Sequence, residues 1–240
     1  MRDDELRPDA DEIAEGGLDY PLRRGNTVRR PAAANTEFVQ RLLLHLEAAG
    51  VTWSPRALGL DEQGREVVSW LPGCAASVGA DVDLAELTRI VRDLHDLTAS
   101  LVEGSACVVH DDLQPRNVIV DQTRPVGLID WEQARPGRRV EDVANLCWSF
   151  IEPTPGSDPE EVAQKWRQIV QGYGLDNPEE LVPTVLSRMT TCAEDIERNA
   201  ALGSARHRRL ANLGHDRAIR AMHDWTTSHR RSLEAVIAPR

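Results

Sequence analysis

The run His110-Asp111-Asp112-Leu113-Gln114-Pro115-Arg116-Asn117 places a histidine, then an aspartate, then an asparagine at His-x-Asp-x-x-x-x-Asn spacing, and Ile129-Asp130 follows at the end of a β-branched run. Phosphoryl transfer asks little covalent chemistry of a protein. It needs a carboxylate to orient the attacking hydroxyl and receive its proton, and hard oxygen ligands to fix magnesium on the nucleotide phosphates. Asp112 suits the first task. The Asn117 amide oxygen and the Asp130 carboxylate suit Mg²⁺, which keeps waters and phosphate oxygens as its other ligands. Taken singly, each residue has a plainer reading, Asp112 as a solvated loop carboxylate and the other two as turn caps. Their common spacing favours the chemical one. His110 reads as a hydrogen-bonded brace of the loop rather than a proton carrier.

These residues must be held by the elements around them. Val118-Ile119-Val120 and Val126 to Ile129 read as two strands separated by a turn with Asp121 and Pro125. Upstream, the segment from Ile13 to Pro31, punctuated by Gly16-Gly17 and Gly25-Asn26, reads as an antiparallel meander ending in the strand Thr27 to Arg30. Thr36 to Ala49 carries Phe38, Val39, Leu42, Leu43 and Leu46 at helical spacing and stops at Gly50. Strands follow at Ala57 to Leu60 and Glu66 to Trp70, across the turn Asp61-Glu62-Gln63-Gly64. Past Leu71-Pro72-Gly73 the pattern turns helical, with Leu84, Leu87, Ile90, Val91, Leu94 and Leu97 on one stripe. From Val140 onward it is helical throughout. Asp158-Pro159 starts one of these helices, and Gly172 or Gly174 ends it. The order predicts an α+β chain of two lobes: an acidic leader over 1–12, a strand-rich lobe over 13–71, and a helical lobe over 72–240 that carries the chemical loop. Chemistry belongs between the lobes.

Composition narrows the function classes. A chain of 240 residues, 41% apolar and 28% charged, buries one substantial core. No apolar run approaches the roughly 20 residues that span a bilayer, and the acidic start MRDDELRPDADE is unlike a secretory signal. The four cysteines, Cys74, Cys107, Cys147 and Cys192, lack CxxC pairing and read as buried free thiols of a cytoplasmic protein, with no zinc. A net charge of −11 argues against nucleic-acid binding, because phosphate backbones require clustered cations. The charge is uneven: from Arg198 onward nine arginines stand against Asp216, Asp224 and Glu234. That excess reads first as solvated helix faces and second as an anion or partner site.

The stretch from His110 to Trp148 resembles the aminoglycoside phosphotransferase and choline kinase-like family. The resemblance rests on His110, Asp112, Asn117, Ile129-Asp130-Trp131, Pro136-Gly137 and Asp142-Val143-Ala144, and extends more loosely back through the strands. It implies a bilobal, protein-kinase-like fold and transfer of the γ-phosphate of ATP or GTP, with Mg²⁺, to a small-molecule hydroxyl. It also implies that Asp142 braces the catalytic loop. Asp111 stands where the family has glycine. Relatives of this kind hold nucleotide phosphates with a strand lysine paired to a helix glutamate, yet the only lysine here is Lys165. Arginine must then substitute. Alternation along Thr27 to Arg30 selects Arg30, with Glu37 on the following helix as its partner. Gly16-Gly17 could cover the phosphates through backbone amides or could be an ordinary hairpin turn. Ser69, Trp70 and Leu71 occupy the stretch where related enzymes bind the nucleobase. For the acceptor, Glu152, Asp158, Glu194 and Asp195 are candidate acids on the later helices.

Two rival readings remain. A kinase-like binding or immunity protein without turnover would explain the missing lysine and Asp111, but it has no use for the full Asp112, Asn117 and Asp130 set. A metal phosphohydrolase of the His-Asp type would draw on the pairs His95-Asp96, His110-Asp111, His215-Asp216 and His223-Asp224.

Overall fold

The computed structural model describes residues 12–13, 21–104 and 107–238. Gly16 and Gly17 lie outside the described residues, as does most of the acidic leader. The chain begins with β1 (Glu12–Ile13), β2 (Leu22–Arg24) and β3 (Thr27–Arg30), followed by α1 (Thr36–Ala48), β4 (Ala57–Leu60) and β5 (Glu66–Ser69). These strands form one antiparallel sheet in the order β1-β2-β3-β5-β4. Gly25, at φ 58°, makes the tight turn that pairs Arg24 with Thr27. At the next hairpin, Asp61 Oδ1 accepts from the amides of Gln63 (2.9 Å) and Arg65 (3.0 Å). α1 buries Val39, Leu42, Leu43 and Leu46, the stripe its periodicity marked.

The second part comprises β6 (Cys74–Ala75), α2 (Leu84–Thr98), β7 (Cys107–Val109), β8 (Val118–Asp121), β9 (Arg124–Leu128), β10 (Arg135–Gly137) and then helices alone. The helices are α3 (Arg139–Phe150), α4 (Pro159–Tyr173), α5 (Leu181–Ala201), α6 (Ala205–Asn212) and α7 (His215–Ile237). The result is a bilobal α+β fold. Asp158 caps α4 by accepting from the amides of Glu160 and Glu161, and Gly174, at φ 73°, ends it; Gly172 stays inside the helix.

Two short ladders escape sequence reading. β6 pairs with β8, and β10 pairs with β7 through Arg135, Pro136 and Gly137, residue types that favour turns over strands. Tertiary context, not propensity, makes them strands: they pin both ends of the loop that holds Asp112. Cysteine burial also departs from expectation. Cys107 and Cys147 are buried and Cys192 half-buried, but Cys74 is exposed, because the two-residue strand β6 lies at the edge of its sheet.

Beneath the site the core is aromatic. Trp131 is 1% exposed; its ring stacks on Trp53 at 6.4 Å and meets the His110 ring at 4.7 Å. Its indole N–H donates to the Leu128 carbonyl (3.0 Å), so the buried polar atom is satisfied. Trp53 in turn accepts at its carbonyl from the Leu128 amide (2.7 Å), tying the segment before β4 to the end of β9.

Candidate active site

The loop from His110 to Asn117 runs between β7 and β8, and one buried carboxylate sets its shape. Asp142, in the first turn of α3 and 0% exposed, accepts from the amides of His110 (2.7 Å, Oδ2) and Asp111 (2.9 Å, Oδ1) and from His95 Nε2 (3.1 Å). Burial pushes its pKa up, but the hydrogen bonds from His95 and from the His110 amide outweigh it, and the carboxyl lies below its ordinary value. Thus Asp142 stays ionised where it is needed as an acceptor.

Asp111 has φ 68°, the left-handed region that glycine enters freely. Its carboxylate is bound by Arg135 (Nε–Oδ2 2.7 Å, Nη2–Oδ1 3.0 Å) and by Arg188 of α5 (Nη1–Oδ1 2.6 Å), while its carbonyl accepts from Arg188 Nη2 (2.8 Å). Of the two neighbouring carboxylates, Asp111 is therefore committed to ion pairs.

Asp112 contacts only neutral donors. Asn117 Nδ2 donates to its Oδ2 (2.9 Å) and to its carbonyl (2.8 Å), and Gln114 Nε2 donates to its Oδ1. Burial raises the Asp112 pKa above the usual aspartate value; the charges of Arg116 and His110 and the Asn117 hydrogen bond pull against this, and the charge of Asp130 adds to it. With its nitrogen given to Asp112, Asn117 keeps its amide oxygen for another ligand.

Asp130 follows β9 at φ 65° and precedes the short helical turn Trp131–Gln133. Two hydrogen bonds stitch it to the catalytic loop: the Ile129 amide donates to the Asn117 carbonyl (2.9 Å), and His110 Nε2 donates to the Ile129 carbonyl (2.9 Å). The His110 ring, 0% exposed, therefore links the two loops and does not face the cleft; its Nδ1 has no hydrogen-bond partner among the described residues. The pair Asn117 Oδ1 and Asp130 carboxylate is a hard-oxygen donor set, which fits Mg²⁺ with phosphate and water as further ligands.

Arg30 enters from the sheet. Its Nη1 lies 3.1 Å from Asp130 Oδ1, and its Nε donates to Glu66. The expected partner Glu37 is exposed on α1 and does not pair with Arg30. Sheet register decides this, for β3 and β5 set Arg30 directly opposite Glu66, which is 2% exposed. Gln40, one turn beyond Glu37, is the α1 residue that reaches the pair, donating to Glu66 Oε1 (2.9 Å).

Farther along β5, the Ser69 amide donates to the Arg56 carbonyl (3.0 Å) and the Trp70 amide to the Asn26 carbonyl (2.8 Å), while the Arg23 guanidinium covers the Trp70 ring at 4.1 Å. In the stretch expected to meet a nucleobase, the Ser69 and Trp70 amides are thus engaged within the protein, and Leu71 packs against Gly127 of β9.

A cleft of about 1110 Å³ opens from Asp112 toward α3, α5, α6 and α7. Glu152 and Asp195 line it, but Glu194 does not, and the Asp158 carboxylate is occupied as the cap of α4. Sequence reasoning missed Glu66, Gln114, Arg135 and Arg188. The last two are set by contacts between distant elements. Glu66 was findable in principle, since pairing the strands on either side of the sheet places it across from Arg30. The His-Asp pairs do not assemble: His95 spends both ring nitrogens on Tyr173 and Asp142, and no group of three or more His, Cys, Asp or Glu side chains among the described residues could hold a metal. No helix among them is long and apolar enough to cross a membrane.

Comparison with known proteins agrees with this fold. Residues 97–180, which include the catalytic loop, Asp130 and Asp142, match the sequence model of the phosphotransferase enzyme family. The trifolitoxin immunity protein of Rhizobium leguminosarum bv. trifolii is 32% identical over 191 residues, covering 68% of this chain and 73% of that protein. Among solved structures, a choline/ethanolamine kinase family protein from Mesorhizobium loti superposes with a TM-score of 0.57 at 15% identity, covering 98% of this chain and 94% of that one. A spectinomycin phosphotransferase in complex with ADP and spectinomycin gives a TM-score of 0.62 at 11% identity, covering 91% and 92%. The chain belongs to the phosphotransferase enzyme family of aminoglycoside phosphotransferase and choline kinase-like proteins.

Proposed function

We propose that the chain transfers the γ-phosphate of ATP or GTP to a hydroxyl of a small molecule, an aminoglycoside-like antibiotic or another amino or hydroxy compound. The observation that carries this reading is the Asp112 carboxylate, bonded by Asn117 and Gln114 where it lines the large cleft, and raised in pKa in part by the charge of Asp130, which pairs with Arg30. Asp112 orients the acceptor hydroxyl and takes its proton as the oxygen attacks. Asn117 and Asp130 would hold Mg²⁺, which neutralises phosphate charge when bound. Arg30, pinned by Glu66, supplies the fixed cation that lysine supplies elsewhere, and its guanidinium can grip a phosphate through two donors. His110 and Asp142 keep the two loops in register. In this reading residues 13–71 bind nucleotide, 72–240 carry the catalytic loop and the acceptor cleft, and the protein works in the cytoplasm.

The similarity to an immunity protein favours a second reading, protection of a cell by binding a toxic compound without turnover. A screen of hydroxyl compounds for nucleotide consumption separates the two. Turnover that is lost in Asp112→Ala while nucleotide binding persists supports the enzyme, and binding of a compound with no nucleotide consumed supports sequestration.

A further inference from the structure

Behind the catalytic loop, a line of polar groups runs inward from Arg139 across three helices and ends on the buried Asp142. Arg139 Nη1 of α3 lies 3.4 Å from the Tyr173 hydroxyl, the last residue of α4; that hydroxyl lies 2.7 Å from His95 Nδ1 on α2; and His95 Nε2 lies 3.1 Å from Asp142 Oδ2. His95 and Asp142 are both 0% exposed and Tyr173 is 2% exposed, so water cannot substitute in the Tyr173–His95–Asp142 contacts, whereas Arg139, at 26%, reaches them from the surface.

Chemistry fixes the direction of every proton along this line. A carboxylate only accepts, so His95 must carry a proton on Nε2. A guanidinium only donates, so Tyr173 receives from Arg139 and its own hydrogen is left for the one acceptor within reach, His95 Nδ1. Burial lifts the Tyr173 pKa to about 12, so the hydroxyl keeps that hydrogen at any working pH. The ring is thereby held in a single tautomer and orientation.

We propose that His95 and Tyr173 are positioning residues for phosphoryl transfer: Tyr173 selects the Nε2–H tautomer of His95, His95 fixes the Asp142 carboxylate, and Asp142 presents the His110 and Asp111 amides that set Asp112. The role assigned to Asp112 rests on the proposed function; the relay itself does not. Neither His95 nor Tyr173 touches the cleft. Their effect passes through a second carboxylate, as the partners of metal-bound histidines act through the ring they orient.

The test reads the relay without reference to turnover. In ¹⁵N-labelled protein, long-range correlations of the His95 ring should show a proton on Nε2 and a bare Nδ1. Tyr173→Phe, which preserves shape, should release the tautomer and speed hydrogen exchange at the His110 and Asp111 amides by about tenfold or more, the scale of one lost hydrogen bond to a charged group. His95→Phe should do the same, and His95→Gln, which keeps a donor toward Asp142, should recover most of the protection. A proton on Nδ1 in the parent protein would overturn the proposal, as would unchanged exchange at both amides in Tyr173→Phe. Once an acceptor is known, both phenylalanine variants should lower kcat with little change in nucleotide KM. If Asp112→Ala leaves turnover intact, the functional reading fails while the tautomer and exchange results still decide the relay.

Discussion

Arg30 Nη1 lies 3.1 Å from Asp130 Oδ1, joining β3 to the second residue after β9. The contact joins the sheet to the helical lobe, and the proposed function places the magnesium-bound triphosphate there. Arg30 is held on its other side by Glu66, itself fixed by Gln40. In the proposed reading, the guanidinium stays anchored on Glu66 and offers its free donors to phosphate oxygens.

Arg30→Ala should weaken nucleotide binding by about 10–100-fold, the equivalent of one charge-assisted hydrogen bond. Calorimetric titration with Mg·ATP and Mg·GTP checks this, and an unchanged affinity would remove Arg30 from the site. Glu66→Gln should cost more in stability than in affinity. Breaking one side of a buried ion pair typically destabilises by about 3–5 kcal/mol, and Arg30 and Glu66 are 12% and 2% exposed.

The pH dependence of turnover should follow Asp112. Burial raises its pKa, the base form exists only above that pKa, and activity should therefore fall on the acid side at a pH above the ordinary aspartate range. The Arg116 charge opposes the rise, so Arg116→Ala should move the acid limb to higher pH. A shift to lower pH would contradict this electrostatic picture. Asp142 has the opposite sign. Its folded-state pKa is depressed, so its stabilising contribution is present above the unfolded value and is lost as pH falls through the folded one.

Asp111→Gly separates backbone strain from ion pairing. Glycine relieves a left-handed residue by about 1–2 kcal/mol at most, and less for aspartate, which enters that region more readily than most side chains. The same change strands Arg135 and Arg188, which lose a carboxylate that is only 15% exposed. The second effect should win, lowering the thermal midpoint. A raised midpoint would show that strain dominates.

Trp131→Ala should destabilise by about 3–5 kcal/mol in denaturant titration, because it opens a cavity between Trp53 and His110. Loss of the His110 ring's support should also slow turnover, although Trp131 does not line the cleft.

The sequence made some parts of this molecule plain and left others opaque for physical reasons. Asp112, Asn117 and Asp130 were legible because one short segment carries them at fixed spacing, and the strands that hold it are β-branched. α1 and α2 were legible from their apolar stripes. The partner of Arg30 was not, because a helix glutamate seven residues away and a strand glutamate across the sheet look alike until register is known. Arg188 was invisible, since nothing local in α5 marks a guanidinium that reaches the loop at Asp111. His95 read as one of four His-Asp pairs; only the packing of α2 against α4 and α3 shows that it pairs with Tyr173 and Asp142.

In the proposed function, Asp112 serves as the base for phosphoryl transfer within a site that binds nucleotide independently of it. Nucleotide consumption and Mg·nucleotide affinity should be measured side by side in the parent protein and in Asp112→Asn, across a panel of hydroxyl compounds. Consumption supported by at least one compound should drop on the order of 10²-fold or more in the variant, with affinity nearly unchanged. Equal consumption by the two proteins would contradict the assignment of Asp112.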